Sequence, residues 1–296
     1  MTLRIVFIGC VELSYAVLDR ITALPDVALA GVVTRARSPA NADFRSLEPI
    51  ARRVGCPLLL LERNDPSRMT DFTHSLSPQL LVCIGWSHLL GPELLAIAPH
   101  GVVGYHPTAL PRNRGRHPLI WALALGLEQT GSTFFLMDER ADSGPILSQR
   151  AISITPEDDA ATLYAKMTET ALSQVNELIP ALVAGSATPR RQDEALANYW
   201  RRRTRADGKI DWRMSAAAIR NLVRALTHPY PGAHCATAGG EFPVWRAAIG
   251  PAPPSNVEPG RVLAVDGREI LVKCQDGSVW LKEHELETLP KPDTYL

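Results

Sequence analysis

The residues whose types and spacing can do chemistry crowd into one stretch, GVVGYHPTALPRNRGRHPLIWAL. His106 stands at the end of an apolar run, and Pro107, Pro111 and Pro118 stiffen the loop after it, which carries Arg112, Asn113, Arg114 and Arg116. Histidine is the side chain best suited to accept or release a proton near neutral pH. A loop this dense in proline and arginine reads as a working loop rather than a connection. Further on, MDERADSGPILSQ sets Asp138, Glu139 and Asp142 between two apolar runs. A solvated acidic turn accounts for that loop by itself. If it folds over His106, Asp142 instead orients the imidazole or sets its protonation, as a general base requires.

Other chemistries find less support. Gly9 follows an apolar run, but neither Gly-x-Gly-x-x-Gly nor Gly-x-x-x-x-Gly-Lys-Ser/Thr is present, which disfavours a dinucleotide or P-loop enzyme. The turn Gly9, Cys10, Val11, Glu12 reads as a tight strand-to-helix connection or as part of a ligand rim. Five cysteines, at 10, 56, 83, 235 and 274, form no Cys-x-x-Cys pair, and eight histidines form no His-Glu-x-x-His, so no metal is expected and the thiols read as reduced and buried. The 296 residues are 46% hydrophobic and 21% charged, ordinary globular material. No apolar run approaches the roughly 18 residues of a spanning helix. The MTLRIVFIGC start lacks the marks of a secretory signal, so the chain reads as cytoplasmic. Lysine plus arginine and aspartate plus glutamate both number 31, which gives no overall bias toward nucleic acid.

The elements that must position these residues alternate between apolar strands and amphipathic helices through residue 185, the pattern of an open α/β sheet. Strands are expected at Leu3 to Ile8, Val27 to Thr34, Pro57 to Leu61, Leu80 to Ile84, Val102 to Tyr105, Gly131 to Met137 and Ile146 to Ile154. Helices are expected at Glu12 to Leu24, Ala42 to Val54, Ser67 to Ser75, Pro92 to Ile97, Ile120 to Leu127 and Ala160 to Val183. Ligands of such sheets gather beyond the carboxyl ends of strands, which puts Gly9 to Glu12, Gly85 to Leu90 and Tyr105 to Arg116 on one rim. Residues 186–206 break this texture with Pro189 and six arginines and read as a linker. Residues 207–296 hold one helix, Ser215 to Leu226, with Ala218, Leu222, Val223 and Leu226 on its apolar face. Short strands follow at Glu241 to Ala247, Gly260 to Ala264, Glu269 to Cys274 and Ser278 to Lys282, predicting a small β barrel or sheet.

His106-Pro107, Leu110-Pro111, Arg114-Gly115, Pro118, Trp121-Ala122, Gly126, Thr130-Gly131, Thr133, Met137 and Asp142-x-Gly144-x-Ile146-x-x-Gln149 together resemble the signature of the 10-formyltetrahydrofolate-dependent formyltransferases. Asp207-Gly208-x-Ile210-Asp211-Trp212, Asn221-x-x-Arg224-Ala225, Pro229-Tyr230-Pro231-Gly232-Ala233 and Val244-Trp245-Arg246-Ala247 resemble the second domain of the members that act on tRNA and on sugar nucleotides. The resemblance covers nearly the whole chain. It implies a Rossmann-like catalytic domain over residues 1–185 and an OB-like β domain over 207–296. It also implies direct transfer of a formyl group from the folate nitrogen to a substrate amine, with His106 as base and Asp142 assisting the proton.

The family's Asn-x-His pair is incomplete here, because the asparagine position is Gly104. That asparagine donates to the oxyanion, and losing such a donor typically costs about 10²- to 10³-fold in turnover. Asn113 or Arg116 is the candidate replacement. By the same resemblance, the pteridine lies between Gly85, Trp86, Ser87, His88, Leu89, Leu90 on one side and Met137 with Asp138 on the other. The nucleotide-sugar substrate falls to Gly9, Cys10, Val11, Glu12, Tyr105, Arg114 and Arg116. The details at Gly9 to Glu12, Asn41-x-Asp43-Phe44 and Asn113 to Pro118 favour the sugar branch, which serves surface polysaccharide synthesis. Methionyl-tRNA is the alternative acceptor and a folate-binding homologue without catalysis a third reading. The expectation is no membrane partner and a homodimer.

Overall fold

Short runs of leucine, valine and isoleucine, each too short to be a buried helix, build a parallel sheet. The computed structural model describes residues 2–39, 41–237 and 240–296. β1 (Leu3–Ile8) leads into α1 (Glu12–Thr22), β2 (Val27–Arg35), α2 (Glu48–Val54), β3 (Leu58–Leu61), α3 (Pro66–Ser75), β4 (Leu80–Cys83), α4 (Pro92–Leu95) and β5 (Val102–His106). The two-residue strand β6 (Arg114–Gly115) and α5 (Pro118–Ala124) follow, then β7 (Gln129–Leu136), β8 (Ile146–Ser153), α6 (Ala160–Val183) and the short β9 (Tyr199–Trp200). The large sheet runs in the order β3-β2-β1-β4-β5-β7-β8. The first five of these strands pair in parallel, and β7 then reverses against β5.

The remainder is α7 (Ala216–Leu226), β10 (Ala233–Thr237), β11 (Gly240–Ile249), β12 (Val262–Asp266), β13 (Glu269–Lys273) and β14 (Ser278–His284). These five strands form an antiparallel sheet in the order β10-β11-β14-β13-β12. Ser215 starts α7 by accepting the Ala218 amide on Oγ at 3.1 Å, satisfying one of the unpaired amides of a first turn. The helix buries Ile219, Leu222, Val223 and Leu226, so Ile219 stands where the sequence suggested Ala218. The chain divides into two compact units. The first takes the described part of Met1–Gly115 with Thr130–Ile152 and Ala165–Tyr199, and the second gathers Arg116–Gln129, Ser153–Tyr164 and Trp200–Leu296.

Several elements differ from the expectation, among them the two-residue strands β6 and β9, which the sequence did not suggest. The helix expected from Ala42 begins only at Glu48. Before it, Asp43 accepts the Glu12 amide at 2.9 Å and the Arg45 amide donates to the Cys10 carbonyl at 3.0 Å, so the chain there lines the first turn instead of coiling. The strand Ala233–Thr237 is masked in the sequence by the Pro229, Pro231 and Gly232 that precede it, which read as a turn.

Within the first unit, β7 fixes the loop after His106. Thr130 Oγ1 donates to the Pro107 carbonyl at 3.1 Å and Thr133 Oγ1 to the Thr108 carbonyl at 2.6 Å, while Gln149 Nε2 donates to the Leu110 carbonyl at 2.8 Å. Gly131 makes that approach possible, since a Cβ there would lie 2.6 Å from the Ala109 nitrogen and 2.7 Å from the Thr108 carbonyl carbon. Both are backbone atoms that cannot yield. Gly131→Ala is therefore expected to lower stability by about 1–3 kcal/mol through overpacking, read as a drop in the unfolding midpoint. An unchanged midpoint contradicts the packing.

Candidate active site

His106 is the last residue of β5 and is only 5% exposed. Side chains alternate along a strand, so Gly104 and His106 share one face and Tyr105 takes the other. On the His106 face, the ring Nε2 lies 2.8 Å from the Asn113 carbonyl oxygen and Nδ1 lies 3.6 Å from Asp142 Oδ2. A carbonyl can only accept, so Nε2 carries the proton in the neutral ring and Nδ1 presents its lone pair toward Asp142. Protonating Nδ1 creates a cation beside a carboxylate in a site largely closed to water, where that attraction is least screened. Asp142 adopts a left-handed backbone, φ 57°, and its Oδ2 accepts the Gly115 amide at 2.8 Å. That amide bond and the turn together hold the carboxylate toward the ring. His106, Asn113 and Asp142 are thus brought together, as the sequence suggested.

The place of the family asparagine is filled from the neighbouring strand. A Cβ on Gly104 would stand 2.7 Å from Met137 Cγ, 3.2 Å from its sulfur and 3.0 Å from Phe135 Cζ. Met137 follows β7, its amide donating to the Val102 carbonyl at 2.8 Å, and it packs with Leu110, Phe135 and Ile146. A flexible thioether fills such gaps well.

The loop Gly85 to Leu90, expected from the sequence to face the pteridine, follows the end of β4. Gly85 has a left-handed φ of 65°, and a Cβ there would strike Val11 Cγ2 at 2.2 Å. Trp86, Leu90 and Met137 share one apolar cluster, whereas Ser87, His88 and Leu89 are exposed. A cavity of about 150 Å³ opens beside the loop, lined by Trp86, Leu89, Leu90, Asn64, Met69 and Thr70 among others. Trp86 Nε1 and Asn64 Oδ1 are buried there without a hydrogen-bond partner among the described residues. Met137 and Asp138 do not line that cavity. The Asp138 carboxylate accepts the Ser143 hydroxyl at 2.6 Å and the Arg140 amide at 3.0 Å, which shapes the acidic loop.

The substrate-side residues fare differently. Tyr105 faces away from His106, with its hydroxyl accepting from Ser132 Oγ at 3.0 Å and its ring set edge-on to Phe134, and burial pushes its phenol well above the usual range. Arg114 is completely buried. Its guanidinium donates to Gln192 Oε1 at 2.8 Å, to Glu194 Oε1 at 2.7 Å and to the Tyr199 hydroxyl at 2.9 Å. Arg114 ties the His106 loop to residues 192–199 and is not available to an anionic substrate. Arg116 belongs to the second unit and is exposed.

Gly9, Cys10 and Val11 are buried, and three amides of that turn are occupied: Gly9 by the Val33 carbonyl at 3.1 Å, Val11 by Ser14 Oγ at 3.3 Å and Glu12 by the Asp43 carbonyl at 2.9 Å. Those three amides are not free to cradle an anion. Burial pushes the Cys10 thiol up to about 11, and its sulfur donates to the Gly85 carbonyl at 3.4 Å, a packing role. Glu12 alone is exposed, paired with Arg45 at 2.6 Å. The sequence reading missed Gln192 and Asn198, polar residues in a segment with no apolar period to mark them. Asn198 Oδ1 accepts the Asn113 amide at 2.8 Å and its Nδ2 donates to Asn113 Oδ1 at 3.1 Å.

Residues 5–179 match the family model described as formyl transferase, and residues 202–291 match that of the formyl transferase C-terminal domain. Among solved structures, the N-formyltransferase from Helicobacter canadensis in complex with folinic acid and dTDP-3-aminofucose is 14% identical, with a TM-score of 0.73 over 96% of this chain and 100% of that one. HypX from Aquifex aeolicus in complex with tetrahydrofolic acid is 18% identical, TM-score 0.67, over 97% of this chain. This chain spans 45% of HypX, less than half its length. Methionyl-tRNA formyltransferase from Clostridium thermocellum is 16% identical, TM-score 0.59, over 84% of this chain and 94% of that one. At these identities the likeness is one of fold.

The exchange at Gly104 has a measurable consequence. Gly104→Asn alone is expected to lower stability by about 1–3 kcal/mol through overpacking against Met137, and adding Met137→Ala to recover part of that loss. Denaturant unfolding measures both, and a single variant as stable as the parent contradicts the coupling.

Proposed function

The chain belongs to the formyl transferase family, and from that premise we propose that it moves a formyl group from 10-formyltetrahydrofolate to the amine of a nucleotide-linked amino sugar. The observation that carries this reading is the fixed ring of His106, with Nε2 on the Asn113 carbonyl and Nδ1 toward Asp142. An amine that attacks a formyl carbon must lose a proton, and Nδ1, the ring nitrogen left without one, is assigned to take it. Asp142 offsets the charge that the ring gains. In balance, the new carbon–nitrogen bond forms on the sugar amine, the bond to the folate nitrogen breaks, and the proton passes by way of His106 to that leaving nitrogen.

The folate, when bound, supplies the electrophilic formyl carbon. The residues assigned to hold it are Gly85 to Leu90 with Met137 and Asp138. Of these, only Trp86, Leu89 and Leu90 line the cavity beside the loop, where the Trp86 indole N–H and the Asn64 amide oxygen have no hydrogen-bond partner among the described residues and suit the few polar contacts of a flat heteroaromatic ring. With Gly104 lacking a side chain, Asn113 is the amide assigned to the developing oxyanion.

A sugar nucleotide is favoured over tRNA because the chain has no basic surplus. Two of the six arginines of residues 190–205 are also paired with carboxylates, Arg201 with Asp207 and Arg205 with Glu241. The Helicobacter canadensis protein, bound to a dTDP-amino sugar, has a similar fold over nearly the whole chain. No helix among the described residues is long and apolar enough to cross a membrane. The cytoplasm and a homodimer belong to the same reading.

Incubation with 10-formyltetrahydrofolate and a panel of nucleotide-linked 3-amino and 4-amino sugars, with methionyl-tRNA as control, is expected to add one formyl mass to a sugar. His106→Ala should reduce the rate by about 10²- to 10⁴-fold, the usual contribution of a general base. Formylation of methionyl-tRNA alone would replace the sugar reading. Folate binding without transfer to any amine would remove the enzyme reading.

A further inference from the structure

Residues 180–201 lie between the two stretches that match the family models, yet their side chains hold both of the residues that face the base, Asn113 and Asp142. The hydrogen bonds leave no freedom in how these amides are turned. The Asn113 backbone amide is a donor, so it must meet Asn198 Oδ1; Asn198 Nδ2 is then the other end and must meet Asn113 Oδ1. The Asn113 amide is thereby oriented, with its NH₂ group as the end that Asn198 does not engage. Gln192 is fixed by the same logic. Its Nε2 donates to the carbonyls of Asp142 at 2.9 Å and Gly144 at 2.7 Å, and its Oε1 receives Arg114 at 2.8 Å. Ile146 and Arg190 exchange backbone hydrogen bonds of 2.7 and 2.8 Å, which sets the register of this segment against the strand that follows Asp142.

We propose that Asn198 and Gln192 are positioning residues for the transfer. Asn198 holds Asn113 so that its carbonyl stays on His106 Nε2 and its NH₂ end serves as the donor that Gly104 lacks. Gln192 holds the backbone of Asp142 so that its carboxylate stays on the Nδ1 side. This inference rests on the reading of His106 as the base.

Asn198→Asp and Asn198→Ala separate the two parts of the Asn198 role. Aspartate keeps an acceptor for the Asn113 amide but faces the Asn113 oxygen with another oxygen, turning the Asn113 amide around. Alanine releases the loop. Both are expected to lower kcat by about tenfold or more, the scale of a lost alignment, with KM for folate and sugar within about twofold and the unfolding midpoint of the aspartate variant close to the parent's. The ring Nε2 proton of His106, followed by NMR, reads the positioning without any turnover: Asn198→Ala should speed its exchange with solvent about tenfold or more. Gln192→Leu, which removes the amide beneath Asp142, should lower kcat in the same way. A kcat unchanged in Asn198→Asp and Gln192→Leu, or ring exchange unchanged in Asn198→Ala, overturns the proposal. An inactive parent chain overturns only the reading of the function, and the ring exchange still decides the positioning role.

Discussion

A buried imidazole must satisfy two ring nitrogens, and the choice of partners decides what the ring can do. At His106 one partner is a backbone carbonyl and the other a carboxylate. The carbonyl fixes the tautomer, because it cannot donate. The carboxylate then faces the nitrogen left without a proton. This arrangement requires that a loop fold back seven residues after the strand ends and that an acidic loop close from the other side. The proline-stiffened turn, the threonines of β7, the left-handed Asp142 and the buried guanidinium of Arg114 all serve those two requirements.

The reversal of β7 is central to that geometry. Antiparallel pairing with β5 sets Gly104 opposite Phe135 and His106 opposite Thr133, so each turn of the pleat on one strand is answered on the other. The Met137 side chain then fills the room that a residue at 104 would need. Exchange of an asparagine for glycine at that position is thus a packing event as much as a chemical one. The nearest side-chain amide on the His106 loop is that of Asn113, whose backbone and side chain are both held by Asn198.

Much of this was legible in the sequence, because apolar period and proline spacing mark strands and a working loop directly. The strands of the large sheet and the long helix Ala160–Val183 follow from periodicity and His106 from its place at a strand end, whereas Asp142 is one carboxylate of an acidic loop until the family resemblance singles it out. What could not be read has physical causes. Arg114 looked like a ligand for an anion because charge suggests the surface, whereas its guanidinium is buried among Gln192, Glu194 and Tyr199. Tyr105 differs from His106 by one position, which on a strand means the opposite face. Gln192 and Asn198 act across 50 and 85 residues of chain, and no local pattern announces a long-range amide. The turn at Gly9 has the look of a phosphate cradle until its amides are followed to Val33, Ser14 and Asp43.

The central claim is the protonation pattern of one ring, and ¹⁵N NMR of selectively labelled histidine measures it most directly. The account predicts that, above the pH at which the ring is neutral, His106 carries its proton on Nε2 and leaves Nδ1 bare, in the free protein. A neutral ring with its proton on Nδ1 would break the bond to the Asn113 carbonyl, point the wrong nitrogen at Asp142, and contradict the assignment of His106 Nδ1 as the base.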